Sequence, residues 1–227
     1  MTSSRCQTAH ASIANALAPP TDELMSIGAP ASLRDGSRLR IRQGRRSDGE
    51  LLLRAFDHLS PESRYRRFLA PLDALSGALL RYLTEVVHHD HESILALNEE
   101  GTAGLGIARY VRHVSRPAAA EVAVTAINDW QGRGLGTLLL EAISARARAE
   151  GIRTFTVLML TENHEMLDLV KRLGPVRSIN RACGTVEIEV PIPPAGARPA
   201  LGELLRVTAA SRRRRAARDR APTAGVG

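Results

Sequence analysis

Gly132, Gly134 and Gly136 stand at every second position of the run Asn128-Asp129-Trp130-Gln131-Gly132-Arg133-Gly134-Leu135-Gly136-Thr137-Leu138-Leu139-Leu140. The run follows an apolar, β-branched stretch, Glu121-Val122-Ala123-Val124-Thr125-Ala126-Ile127, and leads into a helical pattern that continues to Glu150. A strand therefore enters a glycine-rich turn that opens a helix. Glycines there let backbone N–H groups approach a ligand closely, and the helix N-terminus favours negative charge, which makes a phosphate or pyrophosphate cradle. A turn whose glycines merely supply unusual backbone angles is the structural alternative.

Two common nucleotide folds do not fit this turn. A dinucleotide fold needs GxGxxG with an acidic residue about 20 positions on; here the glycines alternate, and the first suitable acid after the helix is Glu162. A Walker A loop needs lysine directly after glycine and before Ser or Thr. Lys171, the chain's only lysine, stands between Val170 and Arg172. Aromatic residues make up 3% of the 227 residues, too few for a platform that stacks bases. Cys6 and Cys183 cannot build a four-ligand zinc site or a disulfide framework, and they point to a reducing, cytoplasmic setting. No apolar run reaches the ~20 residues needed to cross a bilayer. The segment from His10 to Ala18 is interrupted by Ser12 and Asn15 and does not read as a signal peptide.

The formal net charge of +7 is concentrated at one end. Arg212, Arg213, Arg214, Arg215, Arg218 and Arg220 cluster beyond the proline-rich stop at Pro191-Ile192-Pro193-Pro194. We read residues 195–227 as a basic, mostly disordered tail, solvated rather than bound to nucleic acid, and residues 1–37 as a disordered leader rich in Ala, Ser, Pro and Thr. Residues 38–194 then form a single domain with one core.

Within that domain Leu39-Arg40-Ile41-Arg42 alternates as a strand. A helix follows with Leu51, Leu52, Ala55 and Phe56 on one face, capped by Ser47 or Asp48. Ser60-Pro61-Glu62-Ser63 is an N-cap with proline at the first helical position, and a further helix spans Leu75 to Val86. Ser93–Leu97 and Ala103–Val114 are hairpin-linked strands, followed by Glu121–Ile127. A helix from Gly134 to Glu150 is ended by Gly151, and Phe155–Leu160 is a buried strand. Glu162–Leu173 is helical, and Gly184–Val190 is the last strand. The class is α/β (α+β): a mixed, mostly antiparallel sheet flanked by helices, an antiparallel meander followed by a βαβ unit.

Gln131-Gly132-Arg133-Gly134-Leu135-Gly136 resembles the acyl-CoA-binding motif [QR]-x-x-G-x-[GA] of the GNAT superfamily of N-acetyltransferases, and the element order is similar to theirs. Ser60-Pro61-Glu62-Ser63-Arg64-Tyr65-Arg66-Arg67-Phe68 and Asn163-His164-Glu165-Met166-Leu167 with Leu173-Gly174 resemble segments of bacterial Pat-type protein-lysine acetyltransferases. The resemblance implies a GNAT fold and acetyl-CoA as co-substrate, with no metal. It implies an amine acceptor, either a small molecule or a protein lysine. It also implies that the amides of Gly132, Arg133, Gly134, Leu135, Gly136 and Thr137, together with Gln131, hold the pyrophosphate. Ala126 and Ile127 would pair with the pantetheine amides by strand addition, Asn163 would hydrogen-bond the pantetheine arm, and Arg133 would meet a phosphate or remain solvated.

Transfer to an amine needs a base for the ammonium proton. Glu121, opening the strand before the turn, occupies the position of the catalytic glutamate in the Pat-type pattern. Many GNAT members protonate the thiolate with a tyrosine where this chain has Val170, so solvent or another residue takes that role. That substitution keeps a second reading open, a GNAT module binding acyl-CoA as a sensor or scaffold. His88-His89-Asp90-His91-Glu92 has the composition of a metal cluster, but on a strand His89 and His91 share one face while His88 and Asp90 take the other, which suits a polar rim. Cys183, beside Gly184, reads as a small buried residue.

Overall fold

The computed structural model describes residues 28–85 and 89–194, so the arginine cluster and His88 lie outside the described residues. Eight strands form one sheet in the order β1-β2-β3-β4-β5-β6-β8-β7. These are β1 (Ala29–Ser32), β2 (Arg38–Gln43), β3 (His91–Leu97), β4 (Gly104–Arg112), β5 (Ala119–Ala126), β6 (Thr154–Leu160), β7 (Arg177–Ala182) and β8 (Thr185–Pro191). The helices are α1 (Gly49–Asp57), α2 (Pro61–Phe68), α3 (Gly77–Thr84), α4 (Leu135–Ala149) and α5 (His164–Lys171). Every neighbouring pair of strands is antiparallel except β5 and β6. The mixed sheet and the meander followed by βαβ are as the periodicity predicts.

Alternation along the strands gives each sheet face its own helices. Ile94 and Ala96 of β3, Ala108 and Tyr110 of β4, and Val122 of β5 are buried in one cluster with Leu135, Leu138, Leu139 and Ile143 of α4. That helix approaches closely at Gly106, where a Cβ would lie 2.8 Å from the Thr125 carbonyl oxygen and 3.0 Å from Leu139 Cδ1. Its C-terminus closes on Gly151 (φ +81), with Gly151 N donating to Arg148 O and Ile152 N to Ala147 O, a double-bonded glycine cap. Helices α1, α2 and α3 cover the opposite face. Among these, α2 is capped as its sequence dictates, Ser63 N donating to Ser60 Oγ at 3.1 Å behind Pro61.

Four local expectations are corrected. The sheet begins at Ala29, within the stretch read as leader: Ala-Pro-Ala-Ser carries no alternation, and it is a strand only because Ala29–Ser32 finds the edge of β2. Strand β7 was invisible for a similar reason, since all six of its residues are exposed and none forms an apolar period. It exists because Cys183 (φ +48) and Gly184 (φ +78) make a tight turn that folds it back on β8, so Cys183 is exposed rather than buried. Finally, Asp48 stands at the N-cap of α1 without bonding that helix. Its oxygens accept instead from Arg42 Nη1 and Nη2, at 2.7 and 2.6 Å, and from Arg45 N.

The Arg42–Asp48 pair is buried, so removing one partner leaves an uncompensated interior charge, a cost of about 3–5 kcal/mol. Asp48→Ala is expected to lower the unfolding free energy by about 3 kcal/mol in urea titrations. Glu99→Ala, which breaks the exposed Arg38–Glu99 pair, is expected to change it by less than about 1 kcal/mol.

Candidate active site

Strands β5 and β6 are hydrogen-bonded over only three residue pairs, Ala119–Thr154, Ala120–Phe155 and Glu121–Thr156. Beyond them the two strands part, and a groove of about 630 Å³ opens between Val122–Ala126 on one side and Val157–Met159 on the other. Helices α2 and α5 supply its other walls through residues such as Ser63, Arg67, Asn163 and Met166. Ile127 N donates to Leu105 O of the β4 side, so by strand alternation the amides of Val122, Val124 and Ala126 face the open side.

At one end lies the glycine turn. Gly132 (φ +70) and Gly134 (φ +93) adopt left-handed backbone, and a Cβ on either would meet nothing within 4 Å. Gly134 is the N-cap of α4 and offers no side chain to the helix. The first amide to bond back is Leu138 N, to Gly134 O, which leaves the N–H groups of Leu135, Gly136 and Thr137 without partners among the described residues. Gly136 lies close to α5, where a Cβ would come 3.3 Å from Leu169 Cδ2 and press on that side chain. Leu135 is buried in the core, so only its amide reaches the turn. The side chain of Thr137 lines a smaller cleft against Pro193 and Pro194.

The remaining expected residues sort by their partners. Gln131 lines the groove, but its Nε2 donates to Ala126 O (3.0 Å) and Ser63 Oγ (3.1 Å), tying the turn to α2 and occupying the Ala126 carbonyl. Ile127 is a correction: its amide is spent on Leu105 and its side chain is buried in the core, because alternation turns it away from the open edge. Arg133 is half-buried, stacked 4.4 Å over Trp130, with Nε 2.8 Å from Asp35 Oδ2 and Nη2 on Ser37 Oγ. Asp35, held by the Ser37 backbone and hydroxyl and by Arg133, has its carboxyl lowered to about 2. Asn163 caps α5, accepting from Met166 N at 3.0 Å, and its amide nitrogen remains as a donor at the groove wall. Val170 is buried.

Glu121 sits where the strands part, exposed and lining the groove. Two arginines lie near it. Arg67 of α2 lines the same groove, while Arg109 of β4 lies on the same sheet face, opposite Ala123 in register. Arg109 is 3% exposed, and its guanidinium stacks 4.0 Å from the Tyr82 ring of α3. Burial pulls its pKa down to about 10, opposed by Tyr82 and Glu121 and reinforced by Arg67. Burial likewise lowers the pKa of Arg67, and Glu121 and Tyr82 oppose it. These arginines were not singled out in the sequence. The signals were present: Ser63 and Arg67 share one helical face at i, i+4, and Arg109 is a lone charge between Ile107 and Val111 on one strand face.

The His88–Glu92 run does not act as a unit among its described members. His89 precedes the strand in a turn and bonds Glu150 at 2.6 Å, Asp90 pairs with Arg112, and Glu92, fully buried, pairs with Arg146. His91, first in β3, packs its ring 5.5 Å from Tyr82 on the other sheet face. The rule that placed His89 with His91 applies only inside the strand.

Residues 51–174 match the acetyltransferase (GNAT) family, and the chain belongs to that family. It is 35% identical over 178 residues to the acetyltransferase Pat of Mycolicibacterium smegmatis, covering 78% of this chain. It spans about half that relative's length, 52%. The GNAT domain of S. lividans PAT superposes with a TM-score of 0.67 at 32% identity, covering 73% of this chain and 97% of that one. A putative acetyltransferase of Salmonella typhimurium, yncA, solved with its cofactor acetyl-CoA, shares the fold at a TM-score of 0.55 and 14% identity, covering 70% of this chain and 96% of that one. Among the described residues no helix is long and apolar enough to cross a membrane.

Burial, with Arg109 nearby, lowers the His91 pKa to about 4. Between about pH 6.5, where an unfolded histidine titrates, and about pH 4 the unfolded chain therefore binds more protons, and stability falls as pH drops through that window. Urea midpoints measured from pH 7.5 to 4.5 should fall more steeply for the native chain than for His91→Gln.

Proposed function

We propose that the chain moves an acetyl group from acetyl-CoA to an amine, with Glu121 as the base. The observation that carries this reading is one groove holding both ends of the chemistry, unpartnered amides at the start of α4 and a carboxylate at the parting of β5 and β6. The pyrophosphate is held by the amides from Gly132 to Thr137, where free donors and the helix N-terminus favour an anion. The pantetheine arm runs along the open edge of β5 past Val124 and Ala126, with Asn163 on the opposite wall. Ile127 has no part in it.

Glu121 takes the proton of the acceptor ammonium, directly or through one water, and frees the nitrogen lone pair to attack the thioester carbonyl. A groove-facing amide of β5, from Val122 or Val124, donates to the oxyanion that develops. With Val170 in the core, the departing thiolate takes its proton from solvent. A protein lysine is the acceptor implied by the Pat-type resemblance, and a small amine fits the same chemistry. A sensor that binds acyl-CoA without turnover shares the cradle but has no use for Glu121.

Glu121→Gln keeps volume and polarity but accepts no proton. Thiol release from acetyl-CoA at pH 7 is expected to fall at least about tenfold, with a smaller deficit at high pH, where more acceptor is already neutral. Acetyl-CoA affinity by calorimetry should stay unchanged; equal turnover by the variant overturns the role of Glu121. Gly134→Val meets open space at Cβ, yet it strains a left-handed position by about 1–2 kcal/mol and places methyl groups over the cradle. Calorimetry should show acetyl-CoA affinity reduced at least about tenfold, roughly the loss of one charge-assisted hydrogen bond. Undiminished affinity removes the turn from the cofactor site.

A further inference from the structure

Glu121 and Arg67 line the groove at its acceptor end, Arg109 lies behind them on the same sheet face, and none of the three is paired with another. Glu121 has no hydrogen bond or ion pair among the described residues, although Arg67 and Arg109 lie near enough for its charge to act on both. Arg109 is 3% exposed, yet neither Nε nor Nη2 has a hydrogen-bond partner. Thr125 Oγ1, on the same strand face, is also buried and unpartnered. A buried guanidinium with two unmatched nitrogens is costly to leave so. Helix α3 adds no carboxylate here, only the Tyr82 ring stacked on Arg109.

We infer that this end of the groove recognises an amine that also carries a carboxylate, an acceptor of the free amino-acid type, with the ammonium at Glu121 and the carboxylate at Arg67, backed by the buried positive charge of Arg109. The inference rests on the acetyl-transfer reading and narrows its acceptor. Two arginines against one glutamate leave a net positive charge, and His91, with its lowered pKa, adds none at neutral pH. A purely cationic amine meets that excess as repulsion. A zwitterion instead places a negative group on it, and a planar carboxylate matches the paired N–H donors of a guanidinium. Arg67 lines the groove, and Arg109 backs it from the sheet. Neither arginine hydrogen-bonds the glycine turn among the described residues, which sets this selectivity apart from the pyrophosphate cradle.

The test pairs each free amino acid of a panel with its own carboxamide, which keeps the amine and removes the negative charge. Thiol release from acetyl-CoA is measured for both. The preferred acid is expected to exceed its amide in kcat/KM by at least about tenfold, the scale of one charge-assisted hydrogen bond, although the amide has the less protonated amine. Arg67→Gln and Arg109→Met should bring that ratio close to one while leaving acetyl-CoA affinity unchanged. Arg67 is half-buried, so its variant remains informative if Arg109→Met fails to fold. A second readout needs no turnover: in the presence of CoA, N-acetyl amino acids should raise the melting temperature and their carboxamides should not. Equal kcat/KM within each pair, equal thermal shifts, or turnover confined to lysine peptides or amines without a carboxylate overturns the inference. Failure of the wild-type chain to bind acetyl-CoA in calorimetry overturns the acetyl-transfer reading itself.

Discussion

The structure turns on a pairing that stops early. Strands β5 and β6 are parallel neighbours for three residue pairs and then diverge. Hydrogen bonding holds the sheet together up to Glu121. Past it, the backbone of β5 keeps its pairing to β4 and loses it on the other side, so its donors and acceptors face a groove. A parallel pair needs a crossover connection, and here that connection is α4, which packs close over β4 at Gly106. The same helix that closes the βαβ unit therefore brings its uncapped N-terminus to the mouth of the groove. The cradle, the open strand edge and the carboxylate at the vertex all follow from one break in the ladder.

Polar groups around this groove are of two kinds. Some are spent on holding the frame: Gln131 ties the turn to α2 and the end of β5, Arg133 ties it to Asp35 and Ser37 of the β1–β2 connection, and Asn163 caps α5. Others stay unsatisfied, chiefly Arg109, Glu121 and the first amides of α4. Two buried charges elsewhere are paired within the protein, Arg42 with Asp48 and Glu92 with Arg146. Glu121 and the first amides of α4 face the groove, where a ligand can supply the partner they lack within the chain.

Much of this was legible from residues alone, because the signals were local. Alternation marked β2, apolar and β-branched runs marked β3 to β6, Ser60-Pro61 marked the start of α2, and Gly151 marked the end of α4. The alternating glycines marked the turn because a left-handed backbone at positions 132 and 134 needs them. Strands β1 and β7 were not legible, since neither has an apolar face; each is held by the edge it pairs with. Cys183 is exposed rather than buried because its place in a two-residue turn depends on β7, which has no signal of its own.

The sequence by itself determined the fold class, the glycine turn and the acidic residue before it, since each rests on short-range rules of backbone and periodicity. It also determined family membership through motifs confined to contiguous runs. Only the tertiary structure decided which of those residues face the groove. Ile127 was removed by the hydrogen-bonding phase of one strand, and Arg133 was drawn to a partner 98 residues away. Arg67, remote in sequence, was brought beside Glu121 by packing α2 against the sheet, and Arg109 by the pairing of β4 with β5. Side-chain chemistry is written in the chain, but the company each charge keeps depends on long-range contacts, and that company sets what the site can bind.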